Sequence, residues 1–226
     1  VSAYVLDPPA RPSVAVAGSD QRFPVRRIFC VGRNYADHVK EMGGDPKADP
    51  PIFFTKPADA VADSGAEIAY PPKTEALHHE AELVVALKAG GADIPAARAL
   101  DCVHGYAAGC DLTRRDLQAA AKAGGKPWDE AKGFDASAPI GAIRPGAETP
   151  EGRITLTVNE RTRQDGALAD MIWSVPEIIA ALSQSFALKP GDLIMTGSPE
   201  GVGPLAPGDQ VAVEVSGLAP LRFSIR

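Results

Sequence analysis

Glycine and proline punctuate this chain from end to end, at 22 and 21 of its 226 residues. Proline lacks an amide hydrogen and glycine reaches positive φ, so each tends to bend or end a regular element. A chain cut this often favours short strands over long helices. No strand–helix–strand rhythm is visible, which disfavours a doubly wound parallel sheet. The chain therefore reads as α+β, predominantly β, with a few short helices.

The strand candidates are "RRIFCVG", "PPIFFTKP", "AEIAYPP", "ELVVALK", "GYAAGCDLT", the alternating "RITLTV" before a turn at "NER", and the final "RFSIR". Helix candidates are "YADHVKEMGG", "IPAARALDCV", "RRDLQAAAKAGG" and "SVPEIIAALSQSF". The last opens with Ser174 and Glu177 at capping-box spacing. Pro190-Gly191 and Pro207-Gly208 each precede a strand and suit type II turns, with Pro presetting φ and Gly accepting its positive value. Residues 1–25 are proline-rich and read as an arm or a small strand pair. Residues 26–226 carry the main domain.

Several function classes drop out. The net charge is −6 with no long basic run, so neither nucleic acid nor an anionic membrane is an expected partner. No apolar run approaches the ~20 residues of a membrane helix. Cys30, Cys102 and Cys110 are few and odd in number, which points to a reducing compartment and not a disulfide framework. Their spacing does not resemble a zinc site. The N-terminal "VSAYVLDPPARPS" has neither the basic nor the apolar part of a signal peptide, so a cytoplasmic location is the expectation.

The most informative stretch is "LHHEAELVVAL", residues 77–87. As a strand it places Leu77, His79, Ala81, Leu83, Val85 and Leu87 on one face, and His78, Glu80, Glu82, Val84 and Ala86 on the other. Glu80 and Glu82 then point the same way, with Cα atoms roughly 7 Å apart. As a helix, residues two apart would diverge. Two like charges on a buried face repel, and desolvation adds several kcal/mol unless something positive sits between them. A hard divalent cation resolves the conflict: Mg²⁺, Mn²⁺ or Ca²⁺. A solvated strand end that binds nothing is the competing reading of a Glu-x-Glu pair. His78 and His79 alternate faces, so a shared zinc is disfavoured.

Six blocks occur in order: "CVGRNYADHVKEMG", "PPIFFTKPADAV", "LHHEAELVVAL", "GCDLTRRDLQ", "KGFD" and "TGSPEGVGP". Together they resemble the fumarylacetoacetate hydrolase superfamily, and its short acylpyruvate and fumarylpyruvate hydrolase branch in particular. The resemblance implies a mixed β-sandwich or roll with short helices. It implies a Mg²⁺ or Mn²⁺ site made by Glu80, Glu82 and Asp111. On its own, Asp111 also suits the N-cap of the helix that follows. The resemblance makes His38 the general base, held by Glu41 one helical turn on, and Lys132 an active-site cation. Substrate contacts carry over to Arg33, Lys56, Gln118 and Thr196. Relatives often read T-G-T-P where this chain has Ser198. His79 and His104 gain no role, and Trp128 and Trp173 read as packing residues. The stretch from His38 through "GGDPKADPP" is expected to act as a lid.

The implied reaction is hydrolysis of the carbon–carbon bond of a 2,4-dioxo acid to pyruvate and a carboxylic acid, with fumarate the leading acid. Oxaloacetate decarboxylation or tautomerisation at the same site is the alternative, and dicarboxylate binding without turnover a more distant one. A carboxylate at the far end of the acyl half needs a cation, with Arg114 and Arg115 as candidates. The family is commonly homodimeric, so a homodimer is expected.

Overall fold

The computed structural model describes residues 4–35, 47 and 49–226. The expected helix "YADHVKEMGG", with His38, Glu41 and most of the proposed lid, falls largely outside these residues.

Strands dominate. The large sheet runs, edge to edge, through Ile52–Lys56, Arg27–Gly32, Asp192–Met195, Ala81–Leu87, Val103–Cys110, Ala138–Ile140 and Val61–Asp63. Arg144–Pro145 also pairs with Val103–Cys110. A five-stranded sheet has the order Arg161–Ala167, Arg153–Val158, Gln210–Val215, Leu221–Ile225 and Glu67–Ile68. A small sheet joins Thr113–Arg114, Leu77–His79 and Gly203–Pro204. Ser13–Ala15 pairs antiparallel with Arg22–Pro24 in the N-terminal stretch.

The apolar run "LVVAL" is explained by burial on both faces of one central strand. Leu83, Val85 and Leu87 join a core shared with Ile154, Leu156, Val211, Val213 and Phe223 of the five-stranded sheet and Ile178, Ile179 and Leu182 of the Val175–Ser185 helix. Val84 and Ala86 join a second core, with Ala107, Leu193 and Met195 and with Val14, Phe23 and Val25 from the N-terminal stretch. Every residue of Ala81–Leu87 is buried. Strand alternation therefore divides one apolar run between two cores.

Local signals act as their chemistry requires. Asp192 and Asp209 donate their backbone N–H groups to the carbonyls of Lys189 and Ala206, closing both Pro-Gly turns. The turn glycines have φ +90° at Gly191 and +95° at Gly208. Glu177 accepts the Ser174 backbone N–H at 2.9 Å, the expected half of a capping box. The helix expected within "IPAARALDCV" takes the tighter 3-10 form. Ala96–Cys102 is a 3-10 helix, and it buries Ala99 and Cys102, three residues apart. A three-residue turn aligns those two side chains toward the core.

Candidate active site

The chain enters the large sheet through Glu80. This residue lies between the Leu77–His79 and Ala81–Leu87 strands, so its side chain stands where two sheets meet. Ala81 faces Cys110 and Glu82 faces Gly109 on the antiparallel neighbour. The Asp111 N–H donates to the Glu80 carbonyl at 2.8 Å, extending that register by one pair. Opposite residues in an antiparallel pair share a face. Glu80, Glu82 and Asp111 thus converge, with one carboxylate oxygen from each within 4.8 Å of the others. Asp111 does not cap the next helix, which starts at Arg115 with Arg114 in the cap position.

Cations surround this trio. Lys132 ends the short Asp129–Lys132 helix, and its amine donates to Glu80 Oε2 at 2.8 Å, Asp111 Oδ2 at 2.7 Å and Thr113 Oγ1 at 2.7 Å. Arg115 reaches Glu80 Oε1 at 2.5 Å. Lys56 Nζ forms an ion pair with Asp111 Oδ1 at 2.8 Å. Burial opposes the charge on Lys132, yet Asp111 and Glu80 outweigh it and raise the pKa, so the amine stays protonated. Burial pushes Asp111 up, but Lys132 and Lys56 bring it below the usual value. Glu82 behaves oppositely. Burial, then Asp111 and Glu80, hold its pKa well above the ordinary value. It is 1% exposed, and its hydrogen-bond donor is the Gly197 N–H at 2.6 Å.

These residues fit a hard divalent cation. The donor set is all carboxylate oxygen, the set such ions prefer. Glu82 has no ion-pair partner among the described residues; its hydrogen-bond donor is a backbone N–H. The Lys132 ammonium already bridges two of the three carboxylates. The histidines do not join. His79 pairs its Nδ1 with Gln164 Oε1 at 2.9 Å, and His104 stacks on Phe23. Beside the trio is a cavity of about 150 Å³, walled by Glu80, Glu82, Lys132, Arg33, Arg115, Gln118, Lys122, Phe54, Trp128 and Ser198 among others.

The sequence profile for the fumarylacetoacetate (FAA) hydrolase C-terminal domain matches residues 27–226. The chain belongs to the fumarylacetoacetate hydrolase family. It is an enzyme of the branch represented by its structural neighbours. A fumarylpyruvate hydrolase from Pseudomonas aeruginosa, solved with Mn²⁺ and pyruvate, superposes with a TM-score of 0.93 at 46% identity, covering 99% of each chain. A Burkholderia cenocepacia protein superposes equally well, TM-score 0.93, at 55% identity over 100% of this chain and 95% of its own. The mitochondrial oxaloacetate tautomerase FAHD1 of Mus musculus is 43% identical over 89% of this chain and 92% of its own length.

The structure sorts the residues that the family resemblance singled out. Glu80, Glu82, Asp111 and Lys132 come together, and Arg33 and Gln118 line the cavity. Lys56 does not. It is 3% exposed, and its amine is held by Asp111 and by the carbonyls of Leu112 and Lys132. It braces Asp111 from beneath, because a buried ammonium must keep its acceptors. Thr196 is also turned away: it is fully buried, and its hydroxyl donates to the Leu83 carbonyl at 3.0 Å. The neighbouring Gly197 N–H and Ser198 serve the site instead. Arg114 sits over the Phe134 ring and donates to the Glu130 carbonyl, outside the cavity. His38 and Glu41 lie outside the described residues.

Trp128 and Lys122 were missed as wall residues. Helical spacing could have found Lys122, because Arg115, Gln118 and Lys122 fall on one helix face. Nothing local marks Trp128.

Proposed function

We propose that this chain is a metal-dependent hydrolase that cleaves the carbon–carbon bond of a 2,4-dioxo acid, fumarylpyruvate above all, to pyruvate and a carboxylic acid. One observation carries the reading: two buried carboxylates, Glu82 and Asp111, and the half-buried Glu80 converge with a protonated lysine at the wall of a cavity that also holds Arg33, Arg115 and Lys122. That arrangement suits an anionic substrate which must leave behind an enolate. The Pseudomonas aeruginosa fumarylpyruvate hydrolase, similar across the whole chain and solved with Mn²⁺ and pyruvate, supports the same choice.

Glu80, Glu82 and Asp111 would hold Mg²⁺ or Mn²⁺, which would supply Lewis acidity to the dioxo acid. The other steps belong to the protein. His38, oriented by Glu41, takes a proton from water, and the water oxygen attacks the distal carbonyl carbon. The bond between that carbon and C3 breaks, and its electron pair moves into the pyruvate enolate. Lys132 keeps its positive charge beside the developing enolate oxygen. The proton held on His38 returns to C3 and completes pyruvate. Arg33 and Gln118 orient the substrate. Arg115 fixes Glu80 and, through its second amine at 2.6 Å, Gln118.

A second reading has specific support. The curated relatives at about 40% identity are oxaloacetate tautomerases. Oxaloacetate enolisation needs the same carboxylates, lysine and base but no attacking water, and decarboxylation would yield the same enolate. A panel of acylpyruvates beside oxaloacetate separates the readings. We expect pyruvate and the matching acid in equal amounts from fumarylpyruvate, at a kcat/KM above that for any oxaloacetate reaction. Faster oxaloacetate tautomerisation, with no acid released from any acylpyruvate, would replace hydrolysis with the second reading. Tight dicarboxylate binding with no turnover would replace both. Gel filtration tests the expected homodimer.

A further inference from the structure

The helix Arg115–Ala123 lays a row of three side chains along the cavity: Arg115, Gln118 and Lys122. Arg115 grips Glu80, and Gln118 accepts from Arg115. Both therefore belong to the carboxylate end. Lys122 is one turn farther, about 6 Å along the axis from Gln118. Its amine lies 4.9 Å from the centre of the Trp128 ring. Among the described residues it makes neither an ion pair nor a hydrogen bond to a carboxylate. Arg33 lines the same cavity and likewise makes no ion pair among them. Partial burial, then Arg33 and Arg115, draw the Lys122 pKa below the ordinary lysine value. Among the described residues, two cations without an ion-pair partner thus share a wall of one small cavity. Phe54 and Trp128, with ring centroids 5.6 Å apart, pack together as part of the wall of the same cavity.

We propose that Lys122, assisted by Arg33, is the subsite for a second carboxylate on the substrate. The preferred substrate is then a dicarboxylic 2,4-dioxo acid whose flat acyl chain runs past Phe54 and Trp128, in preference to one with an uncharged tail. The proposal deepens the hydrolase reading and rests on it for the identity of the substrate head. The physical requirement is a distal carboxylate about one helical turn beyond the metal-binding end. Arg114 does not meet it, since it lies outside the cavity, and Arg115 is committed to Glu80.

The test is Lys122→Met, which keeps the length and helix propensity and removes the charge. In the Mn²⁺-loaded enzyme, the ratio of kcat/KM for fumarylpyruvate over acetylpyruvate should fall at least about tenfold, chiefly through KM. Lys122→Arg should restore most of it. Raising ionic strength to about 0.5 M should narrow the wild-type ratio, because an exposed amine is screened. Calorimetric titration gives a readout independent of turnover. Lys122→Met should weaken 2-oxoadipate, which carries a distal carboxylate, at least about tenfold more than pyruvate, which does not. Equal weakening of both ligands, or of neither, overturns the subsite. If wild-type protein cleaves no acylpyruvate, the hydrolase reading fails, while the paired titrations still decide the subsite.

Discussion

Replacing the one carboxyl of the trio that burial keeps protonated by a neutral amide should stabilise the metal-free protein at neutral pH. Glu82 is the residue to change, because Lys132 bridges Glu80 and Asp111 while Glu82 relies on a single backbone N–H. Burial, followed by Asp111 and Glu80, raises its pKa well above the ordinary 4.5. The sign follows from proton linkage. As pH rises past 4.5, the unfolded chain releases this proton while the folded chain keeps it. The native state then binds more protons, so stability falls with rising pH by up to about 1.4 kcal/mol per unit. Between 4.5 and pH 7 the ceiling is about 3 kcal/mol. Glu82→Gln carries no such proton and can still accept from Gly197. After exhaustive chelation, the variant should match wild type near pH 4.5 and exceed it by about 1–3 kcal/mol at pH 7. Urea unfolding at several pH values measures the gap. Adding Mn²⁺ should reverse the order, because wild type gains binding energy that the variant has largely lost. A variant less stable than chelated wild type at pH 7, or a gap independent of pH, would show that Glu82 is already compensated and that the trio has no vacancy of charge to fill.

Two further outcomes concern the frame around the site. Asp192 is buried and receives Arg26 at 3.0 Å and Arg27 at 2.6 Å, tying the start of one central strand to its parallel neighbour. Asp192→Asn should cost about 2 kcal/mol in denaturant unfolding with an unchanged m value, since the arginines are partly solvated; a loss below about 0.5 kcal/mol would refute it. Asp116 accepts from Thr74 Oγ1 at 2.6 Å and from the N–H groups of Glu75 and Leu117, anchoring the loop before "LHHE" to the Arg115–Ala123 helix. Slight burial pushes its pKa up, but those hydrogen bonds outweigh it and hold the carboxyl below 3.8. Its stabilisation is present above pH 3.8 and lost as pH falls through the lower folded value. Asp116→Ala should therefore cost about 1 kcal/mol at pH 7, and the penalty should shrink as pH falls below 3.8; a penalty that stays constant into the acid range would contradict the linkage.

Much of the architecture was written in short-range pattern. Alternation in "LHHEAELVVAL" placed Glu80 and Glu82 on one face with Val84 and Ala86, and the structure sends those apolar residues to a common core. The Pro-Gly turns and the Glu177 contact to Ser174 arise within a few residues, so local chemistry suffices for them. The order of family blocks pointed to Asp111 and Lys132 without any geometry. What alternation could not supply is register. Asp111 meets Glu80 because two strands pair so that Ala81 faces Cys110, and a slip of one residue would turn it away. Lys56 matched a family block, yet packing buries it beneath Asp111, and the Thr196 hydroxyl is drawn to the Leu83 carbonyl. Lys122 lies on a helix face whose neighbour, the cavity wall at Trp128, comes from a later part of the chain. The sequence by itself determined which residues alternate, turn and cap, because those choices depend on near neighbours. Only the tertiary structure decided which charges meet, because that depends on strand register and on distant segments packing together.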